Sequence, residues 1–259
     1  MAPLPTTGLH LGLGLLSIGR NWGVADVPPL DDEAAAVFLA NASQCAVRIF
    51  DTAPSYASSE RRLGKHLATL IEGDRRGLTI MTKMGEYWNP GERVSVVDHS
   101  LDRLKRGIDR SLEVLGHIDV MQVHKASVEI VDHPDIKQAI DYARKRGIES
   151  FGASVSSPEA ALKAVGTGLY ASIQFPFNAQ SLQFEQLAAE LSATGITPII
   201  NRPFGMGRAV DGHSDPAAAA VAAYRFIADR VPSGVVLSGT SKSGHLRENQ
   251  KAFTLAVSS

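Results

Sequence analysis

Eight short apolar segments alternate with eight segments of helical periodicity, and this alternation restricts the fold more than any other feature of the sequence. The predicted strands are His10–Leu16, Ala46–Phe50, Leu78–Lys83, Asp119–His124, Glu149–Ala153, Ala171–Phe175, Thr197–Asn201 and Gly234–Leu237. The predicted helices are Asp31–Ser43, Ser58–Glu72, Ser100–Leu115, Pro134–Arg146, Pro158–Val165, Leu182–Ala193, Pro216–Arg230 and Ser243–Ala256. Strands that are separated by helices pair in parallel, because antiparallel neighbours need only short turns. The sequence therefore predicts an α/β protein with a parallel sheet.

Two parallel-sheet architectures fit this pattern, a closed barrel and an open doubly wound sheet. Eight strand–helix units of about 32 residues each match a (β/α)8 TIM barrel of about 250 residues. The open sheet grips a dinucleotide with a glycine-rich turn that leads directly into a helix. Here Gly12, Gly14 and Gly19 are followed by a helix only near Asp31, too late for that fingerprint. We therefore expect a single-domain (β/α)8 barrel over residues 1–259, compact and with short rim loops, and we ascribe the glycines to backbone flexibility.

Charge and composition argue against several classes of protein. The chain has 26 Lys and Arg against 27 Asp and Glu and no basic stripe, so no nucleic-acid partner is expected. The longest apolar stretches, Ala34–Ala40 and Ala217–Tyr224, are far shorter than the ~20 residues of a membrane helix, so no membrane association is expected. A single cysteine, Cys45, and an N-terminus without a secretory signal pattern favour a cytoplasmic protein.

Ionisable residues end three consecutive predicted strands, at the barrel end where chemistry takes place in this fold. Asp51 follows the second strand, Lys83 ends the third and His124 ends the fourth, while Tyr56 lies five residues beyond Asp51. Each residue alone has an ordinary structural explanation. Because neighbouring strands lie about 4.8 Å apart, the four side chains can converge. The group resembles a proton-transfer device, in which Lys83 lowers the pKa of Tyr56 towards neutral pH.

Metal and nucleophile motifs do not compete with this interpretation. The remaining histidines are scattered, without the spacing of metal ligands, and no second cysteine is present. Ser154 lacks the closing glycine of a nucleophile elbow. We therefore expect no metal, and a metal-dependent or phosphate-binding barrel enzyme is a minor alternative.

These residues resemble the aldo-keto reductase family. The stretch Phe50–Tyr56, followed by Ser59-Glu60 and Leu63-Gly64, is similar to the signature of that family on its second strand. Further similar segments are Thr82-Lys83, Gln122–His124, Gly152–Ser154, Ile173-Gln174, Gly239–Ser241 and Glu248-Asn249. The resemblance extends over nearly the whole chain. It implies a barrel that uses NADPH, or less often NADH, to reduce aldehydes and ketones.

The resemblance implies a catalytic tetrad of Asp51, Tyr56, Lys83 and His124. Tyr56 would act as general acid and base, Lys83 paired with Asp51 would tune it, and His124 would orient the carbonyl. The implied cofactor-binding residues are Ser154, Gln174, Asn201, Arg202, Gly239, Thr240, Ser241, Lys242, His245, Arg247, Glu248 and Asn249. Ser154 and Gln174 match the positions that hold the nicotinamide carboxamide.

The chain also departs from the pattern of this family. Val155 replaces the asparagine that usually follows the carboxamide-binding serine, and Asn201 occupies the position of the aromatic residue on which the nicotinamide stacks. Either Arg202 or Phe204 could take over that stacking. Lys242 and the N-terminus of the last helix favour NADPH, with NADH possible.

The expected substrate is a small carbonyl compound or sugar. The candidate lining residues are Trp22, Tyr87, Trp88 and Phe204, and for Tyr87 and Trp88 ordinary packing within a loop is an equal alternative. The expected oligomeric state is a monomer or a weak homo-oligomer. The alternative function is a nicotinamide-cofactor-binding sensor or regulatory subunit with little turnover.

Overall fold

The computed structural model describes residues 4–21, 28–45 and 47–258. Its strands are β1 (Leu9–Gly14), β2 (Ile49–Asp51), β3 (Thr79–Met84), β4 (Glu86–Asn89), β5 (Val94–Val97), β6 (Val120–Val123), β7 (Ser150–Ser154), β8 (Ser172–Pro176), β9 (Thr197–Asn201) and β10 (Gly234–Gly239). Its α-helices are α1 (Leu16–Gly19), α2 (Asp32–Gln44), α3 (Ser59–Leu67), α4 (Glu72–Arg76), α5 (Leu101–Leu115), α6 (Pro134–Arg144), α7 (Pro158–Thr167), α8 (Glu185–Thr194), α9 (Pro216–Ala228) and α10 (Ser243–Val257). Two 3₁₀ turns lie at Pro54–Tyr56 and Gly205–Gly207. None of the helices within the described residues is long and apolar enough to cross a membrane.

Eight of the strands close into a parallel barrel in the order β1-β10-β9-β8-β7-β6-β3-β2. The barrel closes where β1 runs beside β10, from the pair Leu9 and Gly234 to the pair Gly14 and Gly239. The predicted (β/α)8 barrel is therefore confirmed. Its mouth, the end at which the strands have their C-terminal residues, holds every residue of the predicted tetrad.

The segment after β3 differs from the sequence prediction of a plain loop. Residues 86–97 form an antiparallel hairpin of β4 and β5, in which Glu86 pairs with Val97 and Asn89 with Val94. Gly85 has a φ of +99°, and this left-handed conformation turns the chain out of the barrel before β4 begins. The barrel thus carries a short two-stranded flap beside its mouth.

Three predicted boundaries also shift for local reasons. The predicted first strand ends at Gly14 because α1 begins at Leu16. The predicted helix from Ser58 to Glu72 is divided, since the backbone and the hydroxyl group of Thr69 both donate to the carbonyl of His66 and end the helix there. The helix predicted to begin at Leu182 begins at Glu185.

The barrel interior has an apolar floor and a polar mouth. A separate cluster of buried residues packs across the floor, formed by Leu4, Ile49, Met81, Val120, Ile199, Val235 and Leu237. Side chains two positions apart on a strand share one face. The residues two positions further along these strands are polar. Asp51, Lys83, Gln122 and Asn201 follow Ile49, Met81, Val120 and Ile199 in this way. The same alternation that fills the floor therefore presents the polar side chains at the mouth.

Candidate active site

A buried ion pair joins two neighbouring strands at the centre of the mouth. The Lys83 Nζ atom on β3 lies 2.6 Å from the Asp51 Oδ2 atom on β2. Lys83 is 1% exposed and Asp51 3% exposed. The other carboxylate oxygen of Asp51 accepts a hydrogen bond from Gln122 Nε2 at 2.8 Å. Asp51 is thus fixed on both oxygens and neutralises a lysine that water does not reach.

The Lys83 ammonium group has N–H donors and no acceptor. It donates to Asp51 Oδ2 and to the Thr52 carbonyl at 3.0 Å, and its Nζ atom lies 5.0 Å from the centre of the Tyr56 ring. Burial alone would lower the pKa of Lys83, but Asp51 and Tyr56 raise it above its ordinary value. Lys83 therefore stays charged beside Tyr56, and because an ammonium group cannot accept a hydrogen bond, the phenolic proton is available to another group.

Tyr56 lies in the 3₁₀ turn that follows β2, and α1 packs tightly against this turn. A Cβ atom added to Gly19 would lie 1.8 Å from the Tyr56 carbonyl oxygen. The Gly19 carbonyl also accepts a hydrogen bond from the Ser58 hydroxyl at 3.1 Å. Gly19, which the sequence suggested was a flexible position, is instead required for close backbone approach.

The pKa of Tyr56 is raised above its ordinary value, whereas the sequence suggested a lowered one. Burial raises it, and this effect exceeds the opposite effect of the Lys83 charge. The Asp51 and Glu86 carboxylates also raise it. Tyr56 is consequently a neutral, protonated phenol at neutral pH.

His124 lies directly after β6, with its ring 6.0 Å from that of Tyr56 in an edge-to-face arrangement. Its Nδ1 atom is 2.9 Å from Glu86 Oε2 and 3.4 Å from the Ser55 hydroxyl oxygen. Its backbone carbonyl accepts a hydrogen bond from His99 Nε2 at 2.8 Å. Burial lowers the pKa of His124, and the positive charge of Lys83 acts in the same direction, while Glu86 opposes both. The sequence did not predict that Glu86 contacts His124.

Strained backbone follows three site residues. A non-glycine residue with positive φ costs energy and is retained where the surrounding structure enforces it. Such residues are Ala57 after Tyr56 (φ 51°), Lys125 after His124 (φ 52°) and Arg202 after Asn201 (φ 55°). The chain therefore turns sharply immediately after each of these side chains at the mouth.

The opposite side of the mouth holds the residues expected to bind nicotinamide. Ser154 on β7 and Gln174 on β8 are register partners, and Asn201 ends β9. Gln174 Nε2 and Asn201 Oδ1 are buried and have no hydrogen-bond partner in the part of the chain that the structure describes. One is a donor and the other an acceptor, which together complement a primary amide. Val155 is buried, and its backbone N–H donates to the Gln174 carbonyl.

Apart from Arg202, which follows β9, the remaining predicted cofactor residues lie at the end of β10, in the turn after it and in the first two turns of α10. Gly239 ends β10, and the Thr240 hydroxyl accepts a hydrogen bond from the Lys242 backbone N–H at 3.1 Å. Asn249 Nδ2 donates to the Ser238 hydroxyl at 2.8 Å, which ties α10 to the barrel. The exposed side chains of this group are Lys242, His245, Arg247 and Glu248, and Ser241 is half-buried.

The predicted substrate-lining residues have different surroundings. Tyr87 is buried, and its hydroxyl donates to the Arg103 carbonyl on α5. This contact agrees with the alternative of ordinary packing. Trp88 is half-buried under the Arg20 guanidinium group, 5.3 Å from its ring centroid. Phe204 packs edge-on against Tyr224 of α9 at 5.0 Å. Trp22 lies outside the described residues.

Metal-ligating side chains do not cluster anywhere in the described ranges. No group of three or more His, Cys, Asp or Glu residues in residues 4–21, 28–45 and 47–258 is placed to hold an ion.

The sequence profile of the aldo/keto reductase family matches residues 10–219. The chain belongs to the aldo-keto reductase family. Members of this family are oxidoreductases that use nicotinamide cofactors. The profile match ends inside α9, but the remaining strand of this aldo-keto reductase, β10, completes the barrel by pairing with β1.

Solved structures with the same fold cover almost the whole chain. Two structures assigned to aldo-keto reductases from Pseudomonas aeruginosa have TM-scores of 0.80 and 0.79 at 24% and 26% identity. Each match covers 95% of this chain and 90% of the other. The holo form of an aldo-keto reductase from Bacillus halodurans has a TM-score of 0.76 at 20% identity, with 93% and 85% coverage. A glycerol dehydrogenase from Gluconobacter oxydans has a TM-score of 0.77 at 19% identity, with 96% and 86% coverage. The comparison with curated proteins gives no significant match.

Two residues of the site escaped the sequence prediction. Gln122, which fixes Asp51, precedes His124 by two positions on one strand, so the period of two could have assigned it to the same face. Glu86 could not be found in this way. The left-handed Gly85 interrupts the strand before it, and the alternation cannot be extended across that turn.

Proposed function

We propose that this aldo-keto reductase is an NADPH-dependent enzyme that reduces an aldehyde or ketone, or oxidises the matching alcohol or sugar lactol. The observation that carries this proposal is the hydrogen-bond arrangement around Lys83. Lys83 donates to Asp51 Oδ2 and to the Thr52 carbonyl and lies beside the Tyr56 ring, and an ammonium group cannot accept the phenolic proton. Tyr56 can therefore donate its own proton outward to a substrate oxygen.

The residues present fit a nicotinamide cofactor. The unpaired Gln174 Nε2 atom would donate to a carboxamide oxygen, and the unpaired Asn201 Oδ1 atom would accept from its N–H group. Ser154, beside Gln174 in the sheet, would provide a further hydroxyl group. When bound, the cofactor supplies the hydride that reduces the carbonyl carbon.

The proton comes from the protein. Tyr56 would donate its phenolic proton to the substrate oxygen as negative charge develops there, and in the reverse direction its phenolate would accept that proton. Lys83 stabilises this phenolate through its positive charge, and Asp51 keeps Lys83 charged in a buried position. His124, whose ring faces that of Tyr56 across the mouth, would position the substrate oxygen when its Nε2 atom carries a proton.

Cofactor preference depends on the exposed cations at α10. Lys242 occupies the N-cap position of α10, and its exposed side chain makes no hydrogen bond to the first turn of the helix. The ammonium group is thus available for the 2′-phosphate of NADPH, next to the backbone N–H groups of the first turn. Arg247 is exposed on the same turns and adds to the positive field, and His245 is exposed near it.

The proposal is tested by following NADPH oxidation with a panel of aldehydes, ketones and sugars. Because one structural neighbour is described as a glycerol dehydrogenase, NADP⁺ reduction with glycerol belongs in the panel. We expect turnover by the wild type and a loss of about 10²- to 10⁴-fold in Tyr56→Phe. Absence of turnover on every compound, or an equally fast variant, contradicts the proposal.

A cofactor-binding sensor with little turnover is the second candidate. It is supported by the buried Val155, whose side chain offers no hydrogen bond to a carboxamide. Tight NADPH binding, measured by fluorescence quenching, together with no turnover across the panel would favour the sensor.

A further inference from the structure

Glu86 is a buried carboxylate that the proposed proton transfer does not use. It begins β4, and its Oε2 atom lies 2.9 Å from His124 Nδ1. The two side chains are only 9% and 11% exposed. The Ser55 hydroxyl oxygen lies 3.4 Å from the same His124 nitrogen. A carboxylate buried at this distance has a strong influence on the ring that it faces.

The protonation of this pair follows from the chemistry of its atoms. Burial alone would raise the pKa of Glu86, but its hydrogen bond and charge attraction to His124 lower it to about 2. Glu86 is therefore an anion and accepts hydrogen bonds only. The proton between the two groups must lie on His124 Nδ1. In the neutral ring Nε2 then carries a lone pair and no proton.

The charged groups around His124 come from three elements. Glu86 on β4 favours the imidazolium form, while Lys83 on β3 and the adjacent Lys125 oppose it. Burial opposes it further and is the largest effect, so the pKa of His124 is lowered. The ring is neutral at neutral pH and gains its second proton as the solution becomes acidic.

We propose that Glu86 is a positioning residue that holds the ring proton of His124 on Nδ1. At neutral pH the Nε2 atom can then only accept a hydrogen bond. It donates to a carbonyl oxygen only after the imidazolium forms. The proposal rests on the proposed function, because it takes the substrate oxygen to lie within reach of His124. A carbonyl oxygen has lone pairs and needs donors. At neutral pH only Tyr56 donates a hydrogen bond to this oxygen, and in acid His124 becomes a second donor.

The structure supplies an internal reference for this assignment. His99 Nε2 lies 2.8 Å from the His124 backbone carbonyl, which can only accept, so His99 carries its proton on Nε2. Burial lowers the pKa of His99, and this ring is also neutral. The buried His124 and the half-buried His99 are therefore expected to have opposite tautomers.

The tautomers are measured by ¹⁵N NMR of histidine-labelled protein without substrate, with the two rings assigned from His99→Gln and His124→Gln. We expect the Nδ1–H form for His124 and the Nε2–H form for His99 in the wild type. An Nε2–H form for His124 overturns the proposal. This result does not depend on turnover, so it is distinguishable from a failure of the proposed function.

The role of Glu86 is then separated from simple packing with Glu86→Gln. Its matched control is Glu92→Gln, an exposed glutamate of the same hairpin. A glutamine amide can donate to Nδ1, so we expect a shift of His124 towards Nε2–H in Glu86→Gln and no shift in Glu92→Gln. In the wild type kcat/KM for reduction should rise about tenfold as acid protonates His124, because the imidazolium adds a second hydrogen bond to the substrate oxygen.

In Glu86→Gln this acid rise should disappear, because Nε2 already donates at neutral pH. A variant with the wild-type tautomer and the wild-type pH profile would overturn the proposal. If the substitution prevents folding, the wild-type spectrum alone decides the question.

Discussion

Lys83 and Asp51 form an ion pair of 2.6 Å between two adjacent barrel strands, and water reaches neither side chain. Breaking such a pair leaves a buried charge without compensation. We expect Asp51→Asn to lower the free energy of unfolding by about 3–5 kcal/mol and to abolish carbonyl reduction. Urea denaturation and NADPH oxidation measure the two effects.

The double variant Asp51→Asn/Lys83→Met provides the control for this prediction. It removes both charges, so much of the lost stability should return while activity stays absent. If the double variant is no more stable than Asp51→Asn alone, the buried charge is not the cause of the destabilisation.

The raised pKa of Tyr56 predicts opposite pH dependences for the two directions of reaction. Reduction needs the protonated phenol, which persists above the ordinary tyrosine pKa of about 10, so Tyr56 should cause no alkaline loss of kcat below about pH 10. Oxidation needs the phenolate, so its kcat should still be rising at that pH. Steady-state rates in both directions measure this, and a plateau of the oxidation rate near pH 7 would contradict it.

In Lys83→Met the phenolate loses its neighbouring positive charge. Any residual oxidation by this variant should shift to higher pH. A shift to lower pH would show that Lys83 does not stabilise the phenolate.

Gly19 is expected to be intolerant of any side chain. The added Cβ atom of Gly19→Ala would lie 1.8 Å from the Tyr56 carbonyl oxygen and 2.8 Å from the Ser59 nitrogen, so the turn that carries Tyr56 has to move. We expect kcat to fall at least about tenfold, because small displacements of a catalytic group are costly. Gly166→Ala in α7, where a Cβ atom meets nothing within 4 Å, is the matched control and should retain full activity.

Gln174→Met should separate cofactor binding from stability. The side chain is 2% exposed and its Nε2 atom lacks a partner in the described residues. Replacing it with an apolar group of similar shape should leave the free energy of unfolding unchanged or raise it by about 1 kcal/mol. The Kd for NADPH should increase about tenfold, measured by fluorescence titration. Loss of stability with unchanged binding would assign Gln174 to the barrel core instead.

Lys242→Ala should weaken NADPH binding more than NADH binding. A single exposed ammonium–phosphate contact is worth about 1 kcal/mol, so we expect the KM for NADPH to rise about fivefold and the KM for NADH to stay constant. Lys251→Ala, an exposed lysine further along α10, should change neither constant. Equal effects on both cofactors would remove Lys242 from the 2′-phosphate site.

The sequence predicted the architecture because strand–helix alternation is a repeated signal with eight instances. It predicted the position of the tetrad because strand ends meet at one mouth. It missed the hairpin of β4 and β5, since one left-handed glycine, Gly85, changes the direction of the chain without altering the pattern of side chains. It also suggested a lowered pKa for Tyr56, because the charge of Lys83 is visible in the sequence and the burial that outweighs it is not.

The apolar floor and the polar mouth of the barrel interior have separate roles. The floor is held by apolar contacts around Met81 and Val120, whereas the polar side chains of the mouth stand two positions further along the same strands. A substitution at the rim that alters which substrate fits leaves the floor untouched. The substrate range of this barrel can therefore diverge during evolution while the barrel keeps the stability that its floor provides.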